Sequence, residues 1–548
     1  MDDPGDTTTS TGAPPPVPPA PVPPGDPTAA DDAGRALEAG AGADTGPDAS
    51  IPPKRRWPIA VGVLAAVALV AGLVVAGGAQ PAEDGAVPDA DRSDDPGDAG
   101  DTTDAPAPEE ASPVDGATGV GDPYFPDAGN AGYDVGHYDL ALTWRPDEQR
   151  MDGVATITAA ATEDLSSLAL DAVGLDVSAV TVDGAAATTR PEGERDLIVT
   201  PAEPLRAGDA ATIVVTYSAS PQTLSGVDLL DPGWVSDGEE VYAAFEPHGA
   251  ATLFPSNDHP SDKATYTFRV TAPQGLDVAA NGLLSESTPG QGVTTWVYDA
   301  PDEMATYLVQ VVIADLDFVE STGPNGLPVR HAFDADVGGL AEGPMALTAE
   351  MIDVYDDLFG PYPFVAYGAV VVDDPLGYAL ETQTLSIFGT DAAASESVIA
   401  HELAHQWFGD AVSPATWQDI WLNEGFATYA ELLWQEHRGV GGPDVFADAY
   451  RSGSSLLDLP PADPGPVRLF APSVYDRGAL TLYVLDRTVG RDTFLAILRG
   501  WLERYDDGSA STADFEALAE DVSGRDLTPM FDAWLRASEM PDLGDWVT

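Results

Sequence analysis

The sequence predicts an α+β protein, with an N-terminal antiparallel β domain at 121–320 followed by a mainly helical domain at 321–548. From about Asp122 to Val319, short runs alternate apolar and polar residues between Gly, Pro and Asp turns, which indicates strands of an antiparallel sheet. After about His331, apolar residues recur at helical spacing. A disordered tail, a membrane-anchor helix and a linker are predicted to precede the two domains.

The segment 1–56 is predicted to be a disordered cytoplasmic tail. It consists largely of Pro, Ala, Gly, Asp and Thr and has few large apolar side chains. Such a segment cannot bury enough apolar surface to offset the entropy of ordering it. The segment 80–120 is rich in Pro, Asp and Gly, and its like charges predict an extended, self-repelling linker.

Between them, 57–79 is predicted to be a transmembrane signal-anchor helix. No charged or strongly polar residue occurs from Ile59 to Ala79, and about 20 apolar residues span a bilayer as a helix. Lys54, Arg55 and Arg56 precede this run and acidic residues follow it, so the positive-inside rule places the N-terminus in the cytoplasm and the remainder outside the cell. A cleaved signal peptide fits less well, because more than fifty residues precede the apolar run.

The overall composition excludes several classes of function. The chain has 91 acidic and 23 basic residues and a formal net charge of -68, so nucleic acids and anionic lipids are improbable partners. It has no cysteine, which excludes disulfides, thiolate catalysis and cysteine-ligated zinc. Any metal ion must therefore be held by His, Asp or Glu.

The run "VIAHELAHQWFGD" contains a pattern typical of a metal site. His401 and His405 are four residues apart, so on a helix they share one face and can bind one ion. Glu402 lies beside them, where it can reach a water molecule near that ion. Glu424, in "WLNEGFATYAE", lies on the next predicted helix, and a helical hairpin of this length can bring its carboxylate back to the histidines.

Two histidines and one glutamate leave a fourth position for water, which is the arrangement of catalytic rather than structural zinc sites. Zinc held there would lower the pKa of water to about 7. The spacing therefore predicts one Zn2+ per chain, held by His401, His405 and Glu424, in a hydrolase. The alternative is a buried helix whose histidines are satisfied by backbone carbonyls, with the joint spacing accidental.

These motifs resemble the aminopeptidase N family, zinc metalloaminopeptidases of the gluzincin type with an H-E-x-x-H…E ligand set. "LFPSNDHPSDKATYTF" resembles a block of that family's β domain, "YALET" its "GAMEN" exopeptidase motif and "VYDRGAL" its "VYEKGA" block. The resemblance extends over essentially all of the folded sequence. It implies a thermolysin-like fold for 321–548. Tyr378 and Thr382 depart from the "GAMEN" pattern, and His259 replaces a family glutamate.

The resemblance also implies a role for each motif residue. Glu402 would be the general base, and Tyr475 would donate a hydrogen bond to the oxyanion. Glu381 in "YALET" and Glu246 in "AAFEPHGA" would bind the substrate's N-terminal ammonium group.

The expected function is that of a zinc-dependent, membrane-tethered aminopeptidase that hydrolyses N-terminal residues from peptides outside the cell. Its expected partners are peptides with a free N-terminus, and the membrane through 57–79. A thermolysin-like endopeptidase is an alternative that shares the metal site but needs no ammonium-binding carboxylates. A non-catalytic peptide-binding surface protein is a second alternative, although the expected ligands, base and tyrosine are all present.

Overall fold

The computed structural model describes residues 112–225, 231–236, 240–337, 339, 342–451 and 453–547. The predicted tail and anchor, and most of the predicted linker, lie outside the described residues. Within the described ranges, no helix is both long and apolar enough to cross a bilayer.

The N-terminal domain is formed by strands. Their bounds are β1 (Val114–Asp115), β2 (Tyr133–Arg145), β3 (Arg150–Ala161), β4 (Leu165–Asp171), β5 (Asp176–Val182), β6 (Ala185–Ala186), β7 (Thr188–Glu192), β8 (Asp196–Thr200), β9 (Ala210–Ala219), β10 (Gln222–Thr223), β11 (Gly233–Ser236), β12 (Val241–Ala244), β13 (Lys263–Pro273), β14 (Asp277–Ala280), β15 (Leu283–Pro289), β16 (Val293–Ala305) and β17 (Val311–Ala314). These strands form sheets of order β15-β16-β13-β2-β3-β9-β5-β6, β10-β11-β12-β17-β14 and β1-β4-β8-β7.

The alternating sequence pattern corresponds to real strands with one buried face. In β2, buried positions alternate with more exposed ones along most of the strand, as expected where one face packs on the core. The predicted β domain is confirmed, and most of its pairs are antiparallel. However, β13 pairs with β2 in parallel. A parallel pair needs a long crossover, which the strands between β2 and β13 supply.

The second domain is mainly helical. Its elements are β18 (Leu316–Thr322), β19 (Pro328–Asp334), α1 (Glu342–Met345), α2 (Thr348–Phe359), β20 (Ala369–Val371), β21 (Ala379–Leu380), β22 (Ser386–Phe388), α3 (Glu396–Ala404), β23 (Val412–Pro414), α4 (Trp421–Arg438), α5 (Pro443–Ala449), α6 (Gly478–Val489), α7 (Arg491–Tyr505), β24 (Gly508–Ala510), α8 (Thr512–Ser523) and α9 (Thr528–Phe531).

A small mixed sheet of order β18-β19-β20-β22-β21 supports the site-bearing helices. Because β18 pairs with β19, the sheet of the second domain begins at Leu316. The apolar run in "YGAVVVDDP" forms β20, which is buried throughout. Strand β21 lies at the edge of this sheet, and Glu381 follows it directly.

Helix α3 begins at an N-cap, Ser395, whose side chain accepts a hydrogen bond from the Val398 backbone N–H. It ends at Ala404, earlier than the helical pattern suggested, and His405 is its C-cap residue. The two histidine rings nevertheless remain close, with their centroids 4.8 Å apart.

The first half of α4 is buried on all sides rather than on one stripe, because α3 and α6 pack against it. At Gly425 of α4, an added Cβ would lie 2.9 Å from the Gly478 Cα atom, which is too close for any side chain. The two glycines therefore allow α4 and the start of α6 to approach closely. Glu424 precedes one of them, and Tyr475 lies shortly before the other, so this approach brings both side chains to one place.

The two domains share one apolar core and are joined by buried polar contacts. Lys263, at the start of β13, donates from Nζ to the backbone carbonyls of Asp410 (2.7 Å) and Ala411 (2.9 Å), which follow α3. On another side of the interface, Asp122 Oδ2 accepts a hydrogen bond from the Trp417 backbone N–H at 2.9 Å. The loop that follows the histidines is thus fastened to the β domain.

The buried ammonium group of Lys263 predicts a pH dependence of stability. Burial lowers the pKa of Lys263 from 10.5 to about 8, although Asp410 and other acidic groups oppose this. Between these two pH values the unfolded chain binds more protons than the folded one, so folding becomes more favourable as pH rises. The melting temperature of the native protein should therefore rise relative to that of Lys263→Met between pH 8 and 10.5. A constant difference across this range would contradict the prediction.

Candidate active site

Three predicted ligand residues converge in the second domain. His401 Nε2 lies 3.3 Å and His405 Nε2 lies 3.6 Å from the same oxygen, Glu424 Oε2. One ligand atom from each residue lies within 4.8 Å of the others, so the three can surround a single ion. Two imidazoles and one carboxylate are donors that zinc accepts. The sequence-predicted metal site is therefore brought together by α3 and α4, and its donor set fits zinc.

The orientation of His405 also favours metal binding. Its Nδ1 lies 3.1 Å from the Phe408 backbone oxygen. A carbonyl oxygen only accepts hydrogen bonds, so Nδ1 carries a proton, and Nε2, which faces Glu424, is the nitrogen that binds a metal ion once it gives up its own proton. For His401, Nδ1 lies 3.8 Å from Glu431 Oε2, so a carboxylate faces its outer nitrogen. Such outer contacts fix the rings of metal-binding histidines.

The charge on Glu424 suits a ligand. Burial favours its neutral form, but His405 and the hydrogen bond with His401 outweigh burial and lower the pKa of Glu424 to about 2. An ionised carboxylate is therefore present at neutral pH, as metal ligation requires.

Glu402 lies beside the ligand triad rather than in it. Its carboxylate, a His405 ring nitrogen and a Glu381 carboxylate oxygen lie within 4.8 Å of one another. Burial raises the pKa of Glu402 well above its ordinary value, with His405 opposing and the nearby carboxylates adding to the shift. A carboxyl group with a raised pKa can accept and return a proton near neutral pH.

Glu246 and Glu381 form the second feature of the site. They come from different domains, Glu246 just after β12 and Glu381 just after β21, and each is almost completely buried. An oxygen of each lies within 4.8 Å of the other and of Glu424. Glu246 Oε1 and Glu381 Oε1 have no hydrogen-bond partner among the described residues.

Burial raises the pKa of both glutamates, and repulsion among Glu246, Glu381 and Glu424 adds to this. Buried carboxylates without partners are costly, so this pocket is suited to a positively charged group.

Tyr475 lies beside His401. It is half-buried, and its ring stacks against that of His401 with centroids 6.0 Å apart. It belongs to a π-helical turn, Ser473–Arg477, that leads into α6. Burial and the surrounding glutamates raise the pKa of Tyr475, so its phenol keeps a proton to donate.

The π-helical turn is fixed by a residue that the sequence analysis did not single out. Arg477 is completely buried and donates to the backbone carbonyls of Trp534 (2.7 Å), Ala537 (2.7 Å) and Leu457 (3.0 Å). These carbonyls come from the segments that flank the turn on both sides in sequence. No local motif marks such an arginine, because its partners lie 18 or more positions away.

Gln406, which no sequence motif marks, lies next to His405 and contacts the Glu381 backbone. Among the described residues, the histidines at positions 137, 248, 259, 331 and 437 belong to none of the groups that could hold a metal ion. His259 instead bonds Asp122 at the domain interface.

Two family models match the chain. One, described as the peptidase family M1 domain, matches residues 344–534, and the other, the peptidase M1 N-terminal domain, matches residues 135–308. The first match contains the histidines, Glu402, Glu381 and Tyr475, and the second contains Glu246.

Individual proteins resemble the chain to different extents. The chain is 28% identical over 434 residues to aminopeptidase N of Streptomyces lividans. This match covers 73% of this chain and 50% of that protein. It is 26% identical over 410 residues to endoplasmic reticulum aminopeptidase 1 of Rattus norvegicus, covering 67% and 44%, respectively. The chain thus spans half the length of these curated relatives or less.

A solved structure matches over nearly its whole length. The M1 zinc metallopeptidase from Deinococcus radiodurans is 35% identical, with a TM-score of 0.73, and the match covers 77% of this chain and 98% of that one. A mutant of that protein bound to a Tyr-Ser-Ala substrate matches equally well, at 35% identity and a TM-score of 0.73.

The converging donor atoms predict that zinc stabilises the folded protein. Adding zinc to chelator-treated protein should raise its melting temperature, because a ligand that binds only the folded state stabilises it. Glu424→Gln removes the charged donor and should abolish most of this rise and lower the zinc content of the purified protein. Glu431→Gln is the matched control and should keep most of it, because it leaves all three donors in place and alters the outer contact of His401 and the bond from Gln435 Nε2. An equal zinc response in Glu424→Gln and the native protein would contradict the assignment.

Proposed function

We propose that this chain, which belongs to peptidase family M1, is a zinc-dependent aminopeptidase that hydrolyses N-terminal residues from peptides. The observation that carries this proposal is the pair of buried glutamates beside the metal triad. Glu246 and Glu381 each present an oxygen without a partner among the described residues. A free α-amino group, with a pKa of about 7.7–8.0, is substantially protonated near neutral pH and supplies the missing positive charge.

His401, His405 and Glu424 hold the metal in this proposal. Zinc bound there supplies Lewis acidity, which polarises the scissile carbonyl and makes water a better nucleophile. Glu402, beside His405 but outside the triad, takes a proton from the attacking water and later delivers it to the leaving amine. Tyr475 donates its phenol proton in a hydrogen bond to the oxygen on which negative charge develops.

The ammonium pocket sets where the peptide is cut. Glu246 and Glu381 lie next to Glu424, so an N-terminus bound between them places the first peptide bond at the triad. A chain whose N-terminus is blocked cannot supply the positive charge, and an internal peptide bond offers none. The requirement for a free N-terminus separates an aminopeptidase from a thermolysin-like endopeptidase, which shares the metal site. A non-catalytic peptide-binding protein would cleave neither free nor blocked peptides.

The test compares release of a fluorophore from free and N-acetylated aminoacyl amides, with and without a chelator. The native protein should cleave the free form far faster than the acetylated form, and the chelator should abolish the activity. Glu381→Gln should lower kcat/KM for the free form by about thirtyfold or more, since breaking a buried charge pair costs ~2–5 kcal/mol. Equal cleavage of both forms by the native protein would overturn the exopeptidase assignment while leaving the metal chemistry intact.

Tyr475→Phe provides the matched control for that comparison. It should lower kcat by about 10²–10³, the usual cost of removing one oxyanion donor. It should leave the preference for the free amine unchanged in any activity that remains, because the phenol does not contact the amine in this proposal.

We also propose that the enzyme acts outside the cell, held at the membrane by 57–79. This rests on the sequence: an apolar run preceded by basic residues and followed by acidic ones. In cells that express the full chain, activity should sediment with membranes and resist extraction with alkaline carbonate. Added protease should release it from intact cells by cutting the linker at 80–120. A variant lacking 57–79 is the control, and its activity should stay in the soluble fraction. The same behaviour of the full chain would contradict the proposal.

A further inference from the structure

The side chain of Gln406, the residue after His405, connects two parts of the active site. It is completely buried. Its Nε2 donates to the Glu381 backbone carbonyl (2.9 Å) and to Asp410 Oδ2 (2.6 Å). Its Oε1 accepts from the Thr384 backbone N–H (2.8 Å), and the Tyr362 hydroxyl, whose single proton also faces the Ala366 carbonyl (2.9 Å), lies 3.0 Å from it. Both hydrogens of the amide are therefore used, and its oxygen accepts from the turn.

The Gln406 side chain hydrogen-bonds both ends of one short turn, residues 381–384. The carbonyl at the start of this turn and the N–H at its end are both bonded to the same amide. Thr384 has a φ of 64°, a left-handed conformation that a β-branched residue rarely adopts. Such strain persists only where the surroundings fix the backbone, and it concentrates at functional sites.

The opposite side of the turn is held by the β domain. Asn281 Nδ2 donates to the Gln383 carbonyl at 2.6 Å, and the Gly282 N–H donates to Thr384 Oγ1 at 2.7 Å. The turn is thus held between the β domain and the end of α3. Of these contacts, those made by Gln406 are the ones that tie it to the histidine-bearing segment.

The position of the Glu381 carboxylate depends on this turn. Glu381 Oε1 has no hydrogen-bond partner among the described residues, so that oxygen is not anchored directly. The backbone of the turn must hold it in place instead. His405, by contrast, is fixed by the Phe408 carbonyl, which does not involve the Gln406 side chain. A change at Gln406 should therefore disturb the amine pocket more than the metal site.

We propose that Gln406 is a positioning residue for recognition of the substrate's N-terminal amine: its amide fixes the Glu381–Thr384 turn at the metal site. This inference rests on the proposed aminopeptidase function. Gln406 does not touch the substrate, and its effect passes through the Glu381 backbone. Amine recognition and metal binding are then separable properties of neighbouring residues.

The first variant is Gln406→Glu, which keeps the shape of the side chain and its acceptor oxygens but removes both N–H donors. It also places a carboxylate oxygen against the Glu381 carbonyl and Asp410. KM for a free aminoacyl amide should rise about tenfold, with kcat changed less than about threefold, because an anchoring contact used in both ground and transition states is weakened. The preference for free over N-acetylated substrate should fall by the same factor. Zinc content should stay at one per chain.

The second variant, Gln406→Glu combined with Asp410→Asn, separates positioning from stability. The introduced asparagine can donate to the introduced glutamate, so the contact between positions 406 and 410 is restored with its polarity reversed. The contact to the Glu381 carbonyl is not restored, because position 406 still has no donor. The melting temperature should therefore recover while the raised KM and weakened amine preference remain. If the single variant does not fold, this double variant carries the test.

Tyr362→Phe is the matched control. It removes the hydroxyl that faces Gln406 Oε1 and the Ala366 carbonyl and leaves both Nε2 contacts and the Thr384 contact of Gln406. The amine preference should therefore stay within about twofold of the native value, because the lost contacts do not involve Glu381.

The outcomes are distinct. A native amine preference in Gln406→Glu, or recovery of that preference together with the melting temperature in the double variant, would overturn the positioning role alone. A native enzyme that cleaves free and acetylated substrates equally would overturn the proposed function, and this inference with it.

Discussion

The confinement of several carboxylates in one buried place is the constraint on which the rest of the structure depends. Glu246, Glu381, Glu402 and Glu424 all lie within reach of one another or of His405, and all are almost completely buried. Desolvated anions so close together raise one another's pKa and destabilise the fold unless cations compensate them. The histidines compensate Glu424. The remaining negative charge makes the site receptive to a metal ion and to an ammonium group, and binding either one relieves the repulsion.

Holding such groups together requires a rigid frame, and the frame is assembled from both domains. Glu246 comes from the β domain, while the metal ligands come from α3 and α4. The interface is therefore tied by directional contacts as well as by apolar packing. Across the interface, Lys263 bonds two carbonyls after α3. Within the second domain, Arg477 bonds carbonyls around the turn that carries Tyr475. In both cases a buried cation is satisfied by backbone oxygens rather than by a carboxylate, so it fixes backbone position without neutralising the site.

The metal site could be predicted from the sequence, whereas the contacts that orient it could not. His401 and His405 share a face because helical geometry is local, and Glu424 lies on the next helix along the chain. Glu381 and Glu246 could be identified only through resemblance, since no spacing rule links residues of separate domains. Apart from the bond of Gln406 to Asp410, the contacts of Gln406 and Lys263 join residues 22 to 148 positions apart. Such contacts are set by tertiary packing, which a periodic pattern does not encode. The same reason explains the parallel pairing of β13 with β2 and the all-round burial of α4.

The end of α3 shows how one short segment can serve two purposes. His405 and Gln406 are consecutive, so at a helix terminus their side chains leave in directions roughly 100° apart. The His405 ring faces Glu424 on α4, and the Gln406 amide bonds the 381–384 turn that follows β21. A shift of the end of α3 would therefore act on the histidine and on this turn together. In the proposed aminopeptidase, the distance between the metal and the amine pocket determines which peptide bond lies at the triad, and bonding of the turn by the residue next to a metal ligand helps to keep that distance constant.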